Sequence, residues 1–308
     1  MFKLLFFVVT YGLRRIDNLL RLCYTQAPES KESWSGKVSA GVKLYGTREG
    51  VRMKSRLYSV RDLWPVGLLV VMNFCLGCNA SSERRLQAAD HYRFAQSYLA
   101  NKSYALAEQE VRKALLIQSQ NAEYLGFLAL IYQAQGQLNA AEDAYRLAVQ
   151  QAEIPPSVLV NYSTLLLLLN RDEEAISHAR RALQSPGYDK PARAYTNIGL
   201  GYLRQGAAQH AVEYFQKALQ YQPSLPEIYH NLGLAYEQLG RRIEAIRAFR
   251  EAVRLRPNYA AAYAGLGQVL LAEGRTEEAR EAFKRVIDLA PDSNMAMASQ
   301  RQLKRLAP

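Results

Sequence analysis

The stretch NLGLAYEQLGRRIEAIRAFREAVRLRP, Asn231 to Pro257, decides the fold. It contains two segments in which apolar residues recur three and four positions apart, the pattern of amphipathic helices. Gly240 lies between the two segments and Pro257 closes the second, and both residue types end helices. The stretch therefore predicts a helical hairpin with a tight turn.

The same pattern recurs along the body of the chain. Three columns of small residues share one set of intervals, which are equal except for a longer step between the third and fourth members. The columns are Ala107, Ala141, Ala175, Ala211, Ala245 and Ala279; Ala95, Ala129, Ser163, Gly199, Gly233 and Gly267; and Ala114, Ala148, Ala182, Ala218, Ala252 and Val286. Small side chains at fixed places let paired helices approach closely, while large ones such as Tyr236 and Phe249 fill the space around them.

A helical hairpin repeated at intervals of about 34 residues resembles the tetratricopeptide repeat. The resemblance covers residues 88–293 as six units, and residues 294–308 resemble the capping helix that such arrays need at their end. The longer step falls before the fourth unit, in the segment 186–191. We therefore predict an all-α fold, a right-handed tetratricopeptide repeat superhelix of six helical hairpins plus a C-terminal capping helix.

Residues 53–77 have the features of a bacterial secretion signal. Basic residues at Lys54, Arg56 and Arg61 precede Trp64–Gly77, an uncharged run that ends in a small residue. This run is shorter than the roughly 18 to 20 apolar residues of a membrane helix. Because Cys78 follows directly, the segment resembles a lipobox, in which the cysteine becomes the lipidated first residue of the mature protein.

Cys75 departs from the lipobox pattern, which usually has Leu at that place. Two alternatives remain open, an ordinary signal peptide cut nearby and a metal or redox pair of Cys75 with Cys78. A metal pair needs two more ligands in a polar setting, whereas this segment is apolar. We expect Cys78 to be lipidated and residues 78–87 to form a tether, since two or more acyl chains anchor a protein stably. By resemblance to bacterial sorting rules, Asn79 in place of Asp favours the outer membrane, with the protein facing the periplasm.

Residues 1–52 precede the predicted signal and admit two explanations. In the first, the start codon is mis-called and Met53 is the true initiator, because Met53 places the basic residues and the apolar run at normal signal-peptide distances. Residues 1–52 are then an N-terminal extension or a disordered leader. In the second, Phe2–Leu13 is itself an export or anchor segment, and it too is followed by a basic pair.

The net charge of +11 belongs mostly to the leader and not to the repeats. Residues 1–78 carry 12 Lys and Arg against 5 Asp and Glu, and the rest of the chain carries 27 against 23, so we expect no nucleic-acid partner. All three cysteines also lie in residues 1–78, and the four histidines fall at different places in the repeat, so we expect no metal or other cofactor. No separate catalytic domain fits beside the repeats. We predict that the protein is not an enzyme and takes no small-molecule substrate.

The first helices of a stacked array line its concave surface, so residues at matching first-helix places form rows there. Asn161, Asn197 and Asn231 form one such row, and their amides can both donate and accept hydrogen bonds to a peptide backbone. We expect a partner-binding groove formed by Asn161, Arg193, Asn197, Leu200, Arg204, His230, Asn231 and Leu234. In the alternative, the asparagines only brace neighbouring repeats.

The array resembles the outer-membrane lipoproteins of type IV pilus biogenesis, the pilotin or pilus-stability family. The resemblance rests on NYSTLLLLLNRDEEA and QSPGYDKPARAYTNIGLGYL, within Asn161–Leu203, because that family also has an insertion before its fourth repeat. It implies a protein partner, the secretin subunits, whose multimerisation in the outer membrane the protein would promote. Two other functions stay open, a general periplasmic adaptor for envelope or polysaccharide machinery and a regulatory subunit of a separate enzyme.

Overall fold

A computed structural model of the chain describes residues 34–38, 42–47, 50–52 and 82–306. The predicted signal peptide at 53–77 and the predicted lipidation site at Cys78 lie outside the described residues. The chain divides into two compact units, Met1–Cys78 and Asn79–Pro308.

The first unit contains a small antiparallel sheet. Its strands are β1 (Trp34–Val38), β2 (Val42–Thr47) and β3 (Gly50–Arg52), in the order β1-β2-β3. Val38 of β1 pairs with Val42 of β2, and Thr47 of β2 pairs with Gly50 of β3, so both strand pairs are consecutive antiparallel neighbours.

The second unit is all-α within residues 82–306. Its thirteen helices, α1 to α13, span 82–100, Tyr104–Ile117, Ala122–Ala134, Leu138–Val149, Pro156–Leu168, Asp172–Leu183, Pro191–Arg204, Ala208–Tyr221, Pro226–Gln238, Arg242–Leu255, Ala260–Ala272, Thr276–Leu289 and Asn294–Arg305. Helices α1 to α12 pair into six hairpins, and α13 packs on the last of them. The predicted fold class is confirmed.

The hairpins stack in chain order. Each second helix packs on the first helix of the next hairpin, and first helices also contact one another from α3 through α5, α7, α9 and α11 to α13. Among the described helices, the second helices of neighbouring hairpins make no comparable contact. The stack therefore curves, with its first helices on the inner wall and its second helices on the outer wall.

The three columns of small residues are buried in all six hairpins. In the last three hairpins, the column that contains glycine lies directly against a phenylalanine ring of the second helix. A Cβ atom added to Gly199, Gly233 or Gly267 would lie 2.6–2.7 Å from a ring carbon of the phenylalanine that faces it on the second helix. In the first three hairpins the equivalent pairs are Ala95 with Val111, Ala129 with Tyr145, and Ser163 with Ala179. In hairpins four to six glycine faces phenylalanine and the ring occupies the space that a methyl group would need, whereas in the second hairpin Ala129 faces Tyr145.

We expect Gly233→Ala to lower the unfolding temperature. The new Cβ would lie 2.7 Å from Cε1 of Phe249, and overpacking of this kind costs about 1–3 kcal/mol. The higher helix propensity of alanine offsets about 1 kcal/mol of this loss. The net effect should be a fall of about 2–4 °C in the midpoint measured by circular dichroism.

The control for this contact is the same substitution in a Phe249→Leu background. Without the ring the alanine fits, so Gly233→Ala should then raise the midpoint through helix propensity. An equal fall in both backgrounds would show that the contact with Phe249 is not what excludes alanine.

All six hairpins make the same left-handed turn. Gly136, Gly206, Gly240 and Gly274 have φ between 71° and 79°, as the four turn glycines in the sequence suggest. At the same place in the other two hairpins, Lys102 has φ 58° and Asn170 has φ 60°. Asparagine tolerates this conformation, whereas for lysine it costs about 1 kcal/mol.

The two ends of the stack differ. At the start, residues 82–87 of the predicted tether already belong to helix α1, and Phe94 of that helix is 57% exposed. Its equivalents in the other hairpins, such as Leu128 and Ile198, are at most 7% exposed because a preceding hairpin covers them. At the other end, α13 buries Ala296 and Ser299 on the last hairpin and leaves Met297 exposed to solvent.

The helices give no sign of a membrane span within the part of the chain that the structure describes, since none of them is both long enough and apolar enough. The same residues contain no cluster of three or more His, Cys, Asp or Glu side chains that could hold a metal ion.

Candidate partner-binding groove

All of the predicted groove residues lie on three first helices of the inner wall, α5, α7 and α9. Each of these helices has a proline at its first position, Pro156, Pro191 and Pro226, where the missing N–H is not needed. From that start Asn161 and Asn197 fall on the faces along which α5 and α7 meet, and Asn231 occupies the equivalent place on α9. The structure therefore brings the predicted row together along one wall.

The asparagine row divides into two kinds of residue. Asn197 is 7% exposed, and its amide nitrogen donates to the Val160 carbonyl at 3.2 Å, to Thr164 Oγ1 at 2.9 Å and to Ser163 Oγ at 3.3 Å. These contacts join α7 to α5, which is the bracing role. Asn161 and Asn231 stay partly exposed.

The sequence contains the signal that separates them. Ser163 and Thr164 supply the side-chain oxygens that hold Asn197. At the equivalent places the hairpin before Asn231 has Gly199 and Leu200, and the hairpin before Asn161 has Ala129 and Leu130. Those two asparagines therefore lack side-chain acceptors on the preceding first helix, and their amide nitrogens remain available to a partner.

The two predicted arginines also differ. Arg193 is exposed and donates to Asn161 Oδ1 at 3.1 Å, and it has no carboxylate partner within residues 82–306. Arg204 donates to the Leu167 carbonyl and to Asn170 Oδ1 at the end of the preceding first helix, and its Nε lies 3.3 Å from Asp172. Arg204 is thus a clamp between hairpins three and four, whereas Arg193 offers a positive charge at the groove.

Leu200 and Leu234 are partly buried and leave part of their apolar surface on the inner wall. Leu168, which the predicted site omits, is 58% exposed on α5, although Leu165 and Leu166 beside it are fully buried. Together the three leucines give the inner wall apolar surface that a protein partner can cover. We call the set Asn161, Leu168, Arg193, Leu200, Asn231 and Leu234 the central trough.

His230 turns away from this trough into the contact between hairpins five and six. Its ring centroid lies 5.6 Å from that of Phe249 and 5.2 Å from that of Tyr259. Burial lowers its pKa below the usual range, and its Nδ1 is buried without a hydrogen-bond partner among the described residues. The sequence analysis placed His230 beside the groove, but these contacts make it a packing residue.

His178 lies in a similar environment on α6. Its ring centroid lies 4.7 Å from that of Tyr162, and its Nδ1 is likewise buried without a hydrogen-bond partner among the described residues. Burial, and then the positive charge of Arg181, lower the pKa of this histidine. Both imidazoles are therefore held neutral by the fold.

We expect the stack to lose stability as the pH falls from 7.5 to 5.5. The folded state lowers the pKa of His178 and His230, so below about pH 6.5 the unfolded chain binds more protons and unfolding becomes easier. The variant His178→Gln/His230→Gln should show a smaller fall in unfolding midpoint over this range, measured by circular dichroism. The matched control is His210→Gln, which changes an exposed histidine. An unchanged pH dependence in the double variant would contradict this assignment.

Comparison with known proteins supports a repeat scaffold. Family models described as tetratricopeptide or TPR repeat match residues 122–154, 199–240 and 230–294. The type IV pilus assembly protein PilF of Pseudomonas aeruginosa is 30% identical over 145 residues, which is 47% of this chain and 58% of PilF. An uncharacterized protein of Haemophilus influenzae is 33% identical over 133 residues, which is 42% of this chain and 73% of that protein.

Two solved structures have the same fold. The structure of Pseudomonas aeruginosa PilF matches with a TM-score of 0.64 and 22% identity, covering 71% of this chain and 99% of that one. The structure of PilW, described as a widely conserved type IV pilus biogenesis factor, matches with a TM-score of 0.65 and 22% identity, covering 69% and 98%.

Proposed function

Because this chain is a tetratricopeptide repeat protein homologous to the type IV pilus assembly protein PilF, we propose that it is a scaffold that promotes assembly of the type IV pilus secretin. The central trough binds a segment of the secretin subunit, and lipid on Cys78 holds the scaffold at the inner face of the outer membrane. The scaffold performs no catalysis and carries no cofactor.

The observation that carries the proposal is the mixed character of the central trough. Its leucines offer apolar surface to one face of a bound segment, Asn161 and Asn231 offer amides to that segment's backbone, and Arg193 offers a charge. The residues beside it, Asn197 and Arg204, are bonded within the stack and keep the wall rigid. A preformed wall with open amide nitrogens binds a segment at a small cost in ordering.

The test of the partner is a deletion strain complemented with variants of the trough. Deletion should abolish the heat-resistant secretin multimer seen when unheated membranes are run on a gel. Leu168→Asp/Asn231→Ala should restore little of it, because both side chains are open on the inner wall. Leu147→Asp is the matched control, since Leu147 is 51% exposed on α4, a helix of the outer wall.

Two results would count against the proposal. An unchanged multimer in the deletion strain removes the secretin as partner and favours an adaptor for other envelope machinery or a regulatory subunit of an enzyme. Equal loss of the multimer in the trough variant and in Leu147→Asp removes the trough as the binding surface.

For the anchor, we expect Cys78→Ser to move the protein from the membrane to the soluble periplasmic fraction. The substitution removes the thiol to which lipid would be attached, and a protein without acyl chains has no stable hold on the bilayer. Fractionation followed by immunoblotting measures the change. Cys75→Ser is the control and should leave the protein in the membrane. Membrane attachment that survives Cys78→Ser would refute lipidation.

A further inference from the structure

The fourth hairpin carries a continuous group of stacked tyrosines, which we call the tyrosine face: Tyr195, Tyr202, Tyr214 and Tyr221. The ring centroids of Tyr195 and Tyr221 lie 5.8 Å apart, those of Tyr195 and Tyr214 6.3 Å, and those of Tyr202 and Tyr214 5.6 Å. The rings thus form one chain from the end of α8 to the end of α7. Tyr221 is 56% exposed, and the other three are partly exposed.

Packing of the repeat does not require these four rings together. The hairpin that follows has Tyr229 and Tyr236 at the first two equivalent places but Ala248 and Leu255 at the others, and the third hairpin has no tyrosine at any of them. Every other hairpin is built with two tyrosines or fewer at these places. The fourth hairpin therefore has aromatic surface beyond what its stacking needs.

The tyrosine face is separate from the central trough. Tyr195 and Tyr202 each follow a trough-side residue of α7, Arg193 and Leu200, by two positions. Two positions on an α-helix turn the side chain by about 200°, so the tyrosines lie on the opposite side of α7. There they meet α8, a helix of the outer wall, and the lengthened segment 184–190, whose Tyr188 packs against the same cluster as Tyr202 and Tyr214.

Two cations without a carboxylate partner lie against this face. Residues 180–217 carry six Lys and Arg and two Asp and Glu, but Arg204 pairs with Asp172 and Arg193 lies at the trough, so the positive charge at this face comes from Arg180 and Lys217. Arg180 lies 5.8 Å from the ring centroid of Tyr202, and Lys217 lies 4.8 Å from that of Tyr214. Neither cation has a carboxylate partner within residues 82–306, whereas on hairpin five Arg250 and Arg254 pair with glutamates.

From these observations we infer that the tyrosine face is a second docking surface, which binds an acidic segment of a partner protein. Tyrosine and arginine are enriched among the residues that carry most of the binding energy of protein interfaces, and tyrosine buries a large area with little loss of side-chain freedom. The phenolic hydroxyls and the two cations donate hydrogen bonds to carboxylates, and the rings accept apolar groups between those carboxylates. This inference does not rest on the identity of the partner in the trough.

The test uses the full chain and a defined probe, a fluorescein-labelled random copolymer of glutamate and tyrosine, with binding followed by fluorescence polarisation at 0.15 M salt. Lys217→Glu and Tyr221→Ser should each weaken binding tenfold or more. Both side chains are exposed, so both variants should keep the wild-type circular dichroism spectrum.

The chain offers a matched control for the charge reversal. Arg285 occupies the place of Lys217 in the sixth hairpin and lies 5.8 Å from the ring centroid of Tyr263, but its hairpin has no other tyrosine at the equivalent places. Arg285→Glu should therefore change the affinity by less than about twofold. The trough variant Leu168→Asp/Asn231→Ala should also bind the probe as the wild type does.

Four results would overturn the inference. Equal weakening by Arg285→Glu and Lys217→Glu, or equal binding of a polyglutamate without tyrosine, would mean that bulk charge alone attracts the probe. Loss of binding in the trough variant would place the probe in the trough. Displacement of the probe by vesicles containing phosphatidylglycerol but not by unlabelled copolymer would identify a membrane surface.

Discussion

The close approach of the two helices within each hairpin is the constraint from which the rest of this structure follows. In the last three hairpins a glycine on the first helix contacts a phenylalanine ring on the second, at a distance that leaves no room for a methyl group. The ring fills the hairpin, and Phe249 also reaches Gly265 of the next one. One side chain therefore fixes both the geometry inside a hairpin and the step to its neighbour, so a local contact repeated along the chain sets the curvature of the whole stack.

That geometry decides which polar groups remain open for binding. Neighbouring first helices lie close enough for side chains to bridge them directly, and the bridges use part of the candidate site. Asn197 and Arg204 are bonded across α5 and α7, while Asn161, Asn231 and Leu168 stay on the surface. Some residues of the predicted site therefore hold neighbouring helices together, and these keep the exposed residues of the same site in place.

The fold could be predicted from the sequence because the same sequence pattern recurs in each hairpin. Columns of small residues, turn glycines and closing prolines report local packing and local backbone geometry, which a single sequence displays directly. The site could be predicted only in part. The row Asn161, Asn197 and Asn231 is uniform in sequence, and the difference among them depends on residues in the preceding hairpin. The position of His230 likewise depends on residues outside its own helix, since its ring contacts Phe249 of α10 and Tyr259 just before α11.

The turn at Lys102 has a consequence for how the stack would respond to mechanical load. Lysine adopts the left-handed conformation there without the conformational freedom of glycine, so the turn of the first hairpin carries a backbone strain that the glycine turns do not. Within residues 82–306 that hairpin also has another hairpin on one side only, and Phe94 is exposed there. A pulling force applied at the start of α1 would therefore detach the first hairpin before the others. The remaining five would keep their shape, and the detached segment would lengthen the link between the pulled end and the inner wall.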